Sequence, residues 1–225
     1  MRNKRPLSVE QLSLTDFNLV FRGFYQEVKV RLEQYLPDVI HLAETGLHTL
    51  DLGCGRGEWL EILTENKIQA FGLDTNPELI SVLRGKGFAT KNESAHSHLK
   101  SLEDCSVALV TAFHLLEHLT TPELCELLFQ IKRVLQPGGI FIAETPNALN
   151  IGVASSTFWI DPTHTRPLHP EVLRYWLQHF GFSDVEIRFL NPLSDHFEKT
   201  TNLHLNLLLD AYFGPQDCGV KACVA

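Results

Sequence analysis

The chain has little that would mark a nucleic-acid binder, a membrane protein or a disulfide scaffold. Basic residues are short: 19 against 27 acids, for a net charge of −8. Phosphate backbones need a basic face, so nucleic acid is excluded as the main partner. The one basic cluster, Arg2, Lys4 and Arg5, reads as a solvated tail. No apolar run approaches the roughly eighteen residues needed to cross a bilayer. Charged and amide residues interrupt the N-terminus before it reaches the length of a signal-peptide core. The cysteines, Cys54, Cys105, Cys125, Cys218 and Cys223, are odd in number and form no C-x-x-C pair. They read as reduced thiols, and the expected location is the cytoplasm. Repeats, low-complexity segments and Gly/Pro/Ser linkers are also missing, which leaves one domain over 1–225. Apolar content of 44% and charged content of 20% suit a globular core of that size.

What is present is concentrated first in Thr49-Leu50-Asp51-Leu52-Gly53-Cys54-Gly55-Arg56-Gly57-Glu58-Trp59-Leu60. A short apolar strand, a glycine turn and a helix start follow one another. Glycines allow a sharp turn and close approach of a ligand to the main chain, and N–H groups at the helix start are free to bind it. The spacing is G-x-G-x-G, not the G-x-G-x-x-G of dinucleotide folds. Asp51 would repel a pyrophosphate and favour a ligand carrying positive charge. S-adenosylmethionine, with an ammonium and a sulfonium, has that character. Cys54 serves as a small apolar residue within the turn. The next strand, Ala70-Phe71-Gly72-Leu73, ends at Asp74-Thr75-Asn76-Pro77. A carboxylate at this tip can accept from both ribose hydroxyls.

Further along, strands and helices alternate: strand 47–52, helix 57–66, strand 68–74, helix 77–86, strand 88–92, helix 96–102, strand 106–112, helix 121–135, strand 139–144. This predicts a doubly wound, mostly parallel α/β sheet. Helix 170–180, strand 184–190, an amphipathic stretch at 202–212 and a last strand at 217–224 supply an antiparallel end. Phe17, Val20, Phe21 and Phe24, then Val28, Leu32 and Leu36, recur at helical spacing. Residues 8–46 are therefore expected to be helical, and 1–46 to form a cap over one edge of the site.

Two segments carry candidate chemistry. His114-Leu115-Leu116-Glu117-His118 spells H-x-x-E-H, but it begins at a strand end and Pro122 follows, so no metal is expected. Phe158-Trp159-Ile160-Asp161-Pro162-Thr163-His164-Thr165-Arg166-Pro167 joins aromatic faces to an acid, an imidazole and a guanidinium. Phe158 and Trp159 are placed to stack on a sugar or ring. Asp161 is expected to orient His164 as a general base, with His114 the second candidate, and Arg166 to bind an acceptor anion. Asn147, after strand five, faces the acceptor side.

Taken together, Phe21-Arg22-Gly23, DLGCGRGEWL, VTAFHLLEHL, ETPN, FWIDPTHTRPLHPEVLRYWL and Phe213-Gly214-Pro215-Gln216-Asp217 resemble class I S-adenosylmethionine-dependent methyltransferases. The likeness is to a bacterial subgroup found with lipopolysaccharide and O-antigen assembly enzymes. The resemblance implies a seven-stranded Rossmann-like fold with a core at 47–225 and an acceptor loop at 147–170. It implies cofactor contacts at Arg22, Asp51, Gly53, Cys54, Gly55, Asp74, Thr75, Ser94, Phe113 and His114. It further implies methyl transfer to a saccharide or other small-molecule acceptor, with polysaccharide-assembly enzymes as possible partners. Position 94, where many relatives carry an acid that contacts adenine, is serine here, with Glu93 beside it.

Overall fold

A computed structural model describes residues 23–193 and 200–225. In chain order the elements are α1 (Tyr25–Leu32), α2 (Leu36–Val39), β1 (Thr49–Leu52), α3 (Glu58–Glu65), β2 (Phe71–Asp74), α4 (Pro77–Gly85) and β3 (Thr90–Asn92). Then come α5 (Ala95–Ser101), β4 (Val107–Phe113), α6 (Thr121–Val134), β5 (Leu135–Pro146), α7 (Ile151–Ser155), α8 (Pro170–His179), β6 (Phe182–Pro192), α9 (Leu203–Phe213) and β7 (Pro215–Val224). The strands form one seven-stranded sheet in the order β3-β2-β1-β4-β5-β7-β6. β1 through β5 pair in parallel, and β7 runs antiparallel to both β5 and β6. The doubly wound, mostly parallel sheet with an antiparallel end is the arrangement expected from the alternation.

Both faces of the sheet are covered, which is why β4 is buried along its whole length. Alternate β5 residues serve opposite cores. Phe141 and Ala143 join Leu124, Leu127, Leu128 and Ile131 of α6. Ile140 and Ile142 join Val28 and Leu32 of α1, and Trp59, Ile62 and Leu63 of α3. The strand order reverses between β1 and β4, so the carboxyl ends of these strands flank the crevice where open α/β sheets hold ligands.

Four local expectations are corrected. The expected long N-terminal helix is broken: a 3₁₀ turn (Glu33–Tyr35) separates α1 from α2, and a second (Ile40–Leu42) follows. Pro37, which lacks an N–H, sits in the first turn of α2, where a new helical segment can start. Phe17, Val20, Phe21 and Arg22 lie outside the described residues. Pro137-Gly138-Gly139 does not precede the strand but lies within β5, as a bulge where the register with β4 shifts. The acceptor loop contains helix α7, capped by Asn150 Oδ1 on Val153 N (3.0 Å), and a 3₁₀ turn at Thr157–Ile160. The apolar residues of α9 do not face a core: Leu203, Leu207 and Leu208 are 67%, 59% and 61% exposed. Among the described residues no helix is long and apolar enough to cross a membrane.

Candidate active site

The glycine turn after β1 has the backbone its sequence calls for. Gly53, Gly55 and Gly57 have φ of +70°, +52° and +87°, a region open to glycine and strained for other residues. Cys54 is packed inward: a Cβ on Gly72 would lie 2.9 Å from its sulfur. Burial pushes its thiol pKa up, so it stays protonated and inert. Asp51 is 2% exposed and accepts from Thr111 Oγ1 at 2.8 Å. It therefore lends negative charge to the turn from within the sheet.

Asp74 ties the two motifs together. Its Oδ2 accepts from Gly55 N (2.9 Å) and its Oδ1 from Asn76 N (2.8 Å). The N-cap of α4 is Asn76, whose Oδ1 takes Glu78 N and Leu79 N, so Asp74 is not the helix cap. Two carboxylates beside a left-handed glycine turn suit a cofactor with hydroxyl and ammonium donors, and oppose a pyrophosphate. This set of acceptors thus fits S-adenosylmethionine. Gly23 O receives a hydrogen bond from Arg56 Nη1 at 3.0 Å, fixing the start of α1 beside this turn.

Ser94 and Phe113, also expected at the cofactor, have structural duties as well. Ser94 caps α5, accepting from Ser97 N at 3.2 Å. Phe113 is buried among Tyr35 and Trp59, ring centroids 5.2 and 5.4 Å away. Thr75 is exposed after β2.

Next to the turn, a cavity of about 340 Å³ opens at the ends of β4, β5 and β7. It is walled by Val28, Arg31 and Leu32 of α1 and by Phe158, Asp161 and His164 of the acceptor loop. Its floor is a charge cluster around His114. This residue takes a left-handed φ of +51°. Its Nδ1 lies 3.2 Å from Glu117 Oε1, and its Nε2 lies 3.2 Å from Glu144 Oε1 and 3.7 Å from Asp217 Oδ1. Burial opposes a charge on this ring, but hydrogen bonds to Glu117 and Glu144 and the charge of Asp217 outweigh it and raise the pKa to about 10. Burial would also raise the Glu117 carboxyl; the hydrogen bond to His114 holds it below the usual range instead. Asp217 is pushed up to about 6, chiefly by burial, with His114 pulling the other way. Tyr35 OH donates to Glu144 Oε2 at 2.6 Å. That approach requires Gly219, because a Cβ there would stand 2.4 Å from the tyrosine oxygen.

The raised pKa favours the imidazolium form of His114, in which the ring has no lone pair for a proton, and this weighs against the role of second base. A prediction follows with a definite sign. A raised folded-state pKa gives stability that is complete below the unfolded value and is lost as pH rises through about 10. The melting temperature of the parent protein, relative to His114→Gln, is expected to fall between pH 7 and 10. A constant difference over that range would refute the cluster's charge state.

His164 is set up differently. Its Nδ1 donates to Phe158 O at 2.6 Å, which leaves Nε2 as the acceptor of the neutral ring. The nearest carboxylate is Glu117 Oε1, 4.0 Å from Nε2. Asp161 does not pair with His164 through its side chain. Its Oδ1 accepts from Thr163 N (2.8 Å) and Thr163 Oγ1 (2.6 Å). Thr163 Oγ1, its proton so committed, accepts from His118 Nδ1 at 2.9 Å. The short Asp-Pro-Thr turn captures the acid before it can reach the imidazole. Sequence reasoning gave no role to Glu117 and Asp217. Both stand in segments singled out for other reasons; Glu117 reaches His114 locally, three residues on, whereas Asp217 reaches it only through the pairing of β4, β5 and β7.

The substrate residues divide as well. Phe158 lines the cavity, 1% exposed, with its ring 4.4 Å from that of His164. Trp159 is turned outward, its Nε1 on Ala154 O at 3.0 Å. Arg166 stacks its guanidinium over Trp176 at 5.2 Å and is not among the cavity walls. Asn147 is buried, donating to Pro215 O (2.9 Å) and accepting from Leu149 N (3.0 Å). The H-x-x-E-H run does not present both histidines from one helix: His114 turns toward Glu144 and Asp217, while His118 and His164 group around Glu117.

Comparison with known proteins agrees with this geometry. A family described as "Methyltransferase domain" matches residues 24–187. A structure of a SAM-dependent methyltransferase from Archaeoglobus fulgidus superposes with a TM-score of 0.82 at 32% identity, covering 94% of this chain and 99% of that one. A probable S-adenosylmethionine-dependent methyltransferase of Mycolicibacterium smegmatis is 30% identical over 61% of this chain, which spans about half (52%) of that relative. A ubiquinone biosynthesis O-methyltransferase of Coxiella burnetii is 26% identical, over 80% of this chain and 81% of its own length. With its left-handed glycine turn, its two strand-end carboxylates and this match, the chain belongs to the S-adenosylmethionine-dependent methyltransferases.

Proposed function

We propose that the protein O-methylates a hydroxyl-bearing small molecule, a sugar or polysaccharide precursor, in the cavity between α1 and the acceptor loop. The observation that carries this is the cavity itself: walled by the acceptor loop with His164 and Asp161, and presenting Glu144 and Asp217 at the strand ends. A hydroxyl is a poor nucleophile at neutral pH, so its proton must have a taker. His164 Nε2 is that taker, and buried Glu117 stabilises the imidazolium formed. Bound S-adenosylmethionine supplies an electrophilic methyl group; the chain's residues hold the acceptor, exclude water and remove its proton.

The polysaccharide assignment rests on the resemblance of the DPTHTRP loop, and in that reading assembly enzymes of the cytoplasm are the partners. A second reading is favoured by the Coxiella relative and others like it, named for ubiquinone biosynthesis: methylation of a phenolic hydroxyl. Turnover of labelled cofactor against a panel of sugars, nucleotide sugars and phenols separates the two.

We further propose that proton removal by His164 makes a metal unnecessary. Protein treated with chelator and desalted is expected to keep its full rate. Loss of rate restored by zinc would assign Glu117, His118 and His164 to a cation instead.

A further inference from the structure

Asp217 is a carboxylate of the cavity that this chemistry leaves unused. Asp217, at the start of β7, is 8% exposed and lines the cavity. Its Oδ2 is fixed by Asn191 Nδ2 at 2.7 Å. Its Oδ1 carries no hydrogen bond from the described residues; the nearest cation is His114 Nε2 at 3.7 Å, beyond hydrogen-bond reach. The atom faces the cavity, so its hydrogen bonds come from whatever fills that space, water or an occupant that displaces it. His114 cannot close the gap, because Glu117 and Glu144 already hold its two ring nitrogens.

The surrounding charge sets what that donor can belong to. Glu144, Asp161 and Asp217 line the cavity and Glu117 stands behind it, against the cations His114 and Arg31. Acids outnumber fixed cations, so a carboxylate or phosphate placed here meets like charge in a poorly solvated space.

We propose that Asp217 anchors the acceptor: its Oδ1 accepts a hydrogen bond from a hydroxyl or ammonium beside the methylated atom, so the cavity admits neutral and cationic acceptors and rejects anionic ones. The inference rests on the reading that this cavity takes the acceptor, but not on the acceptor's being a sugar.

The test uses the full chain saturated with S-adenosylhomocysteine and measures calorimetric binding of two probe series. One is methyl glucoside, glucosamine and glucuronate; the other is catechol, dopamine and 3,4-dihydroxybenzoate. Within each series the ring is kept and the charge changes. In whichever series binds, the carboxylate member is expected to bind roughly 10–100-fold more weakly than the other two. Asp217→Asn is expected to shrink that gap by about tenfold, weakening the neutral and ammonium members and relieving the repulsion of the acid. The ranking in the parent protein needs no variant, so it stands as a test even if Asp217→Asn misfolds. Equal or tighter binding of the carboxylates by the parent, a gap unchanged in Asp217→Asn, or millimolar binding of none of the six would each overturn the proposal. Binding confined to the catechol series would overturn the saccharide reading and leave the role of Asp217 intact.

Discussion

His164→Ala is expected to lower turnover by roughly 10²–10⁴-fold, the range for loss of a positioned general base. Its Nδ1 is pinned to Phe158 O at 2.6 Å, so the ring cannot rotate away and Nε2 is held toward the cavity. The affinity for S-adenosylmethionine is expected to change little, because the ring touches neither the glycine turn nor Asp74. A variant with normal turnover would remove the base from this loop and leave the loop only as a lid. Asp161→Asn gives a useful contrast. Its carboxylate holds Thr163, and Thr163 holds His118, so this change is expected to loosen the loop and weaken acceptor binding more than it slows turnover.

Gly55→Val is expected to abolish cofactor binding. The residue has φ +52°, which a β-branched side chain does not tolerate, and its N–H holds Asp74 Oδ2 at 2.9 Å. The substitution therefore distorts the turn and releases the carboxylate in one step. Asp74→Ala removes only the second of these and is expected to weaken binding by about 1–3 kcal/mol. Calorimetric titration of S-adenosylmethionine into both variants is the measurement. Parent-like affinity in both would overturn the placement of the cofactor at the turn.

Much of this was legible in the chain. Alternation of apolar runs with 3.6-periodic segments fixes the order of strands and helices. Glycines at 53, 55 and 57 mark a turn that only a left-handed backbone can make, and Asp74 at the end of the next strand marks its partner. These are local signals, dictated by φ/ψ and by periods of two and 3.6. The charge cluster was not legible, because its members come from β4, β5, β7 and the N-terminal segment. His114 and Asp217 are about a hundred residues apart, and only the antiparallel insertion of β7 between β5 and β6 brings them together. Asp161 and His164 looked like a pair because they are neighbours in sequence, yet the Asp-Pro-Thr turn gives the acid a nearer donor in Thr163. Asn147 looked available because it is polar; its hydrogen bond to Pro215 O had already occupied it. Sequence by itself thus determined the elements and the cofactor turn, where each residue answers to its own backbone. Tertiary structure decided which groups carry charge and which carry protons, since burial and charged neighbours shift a pKa and neither exists before the sheet is assembled.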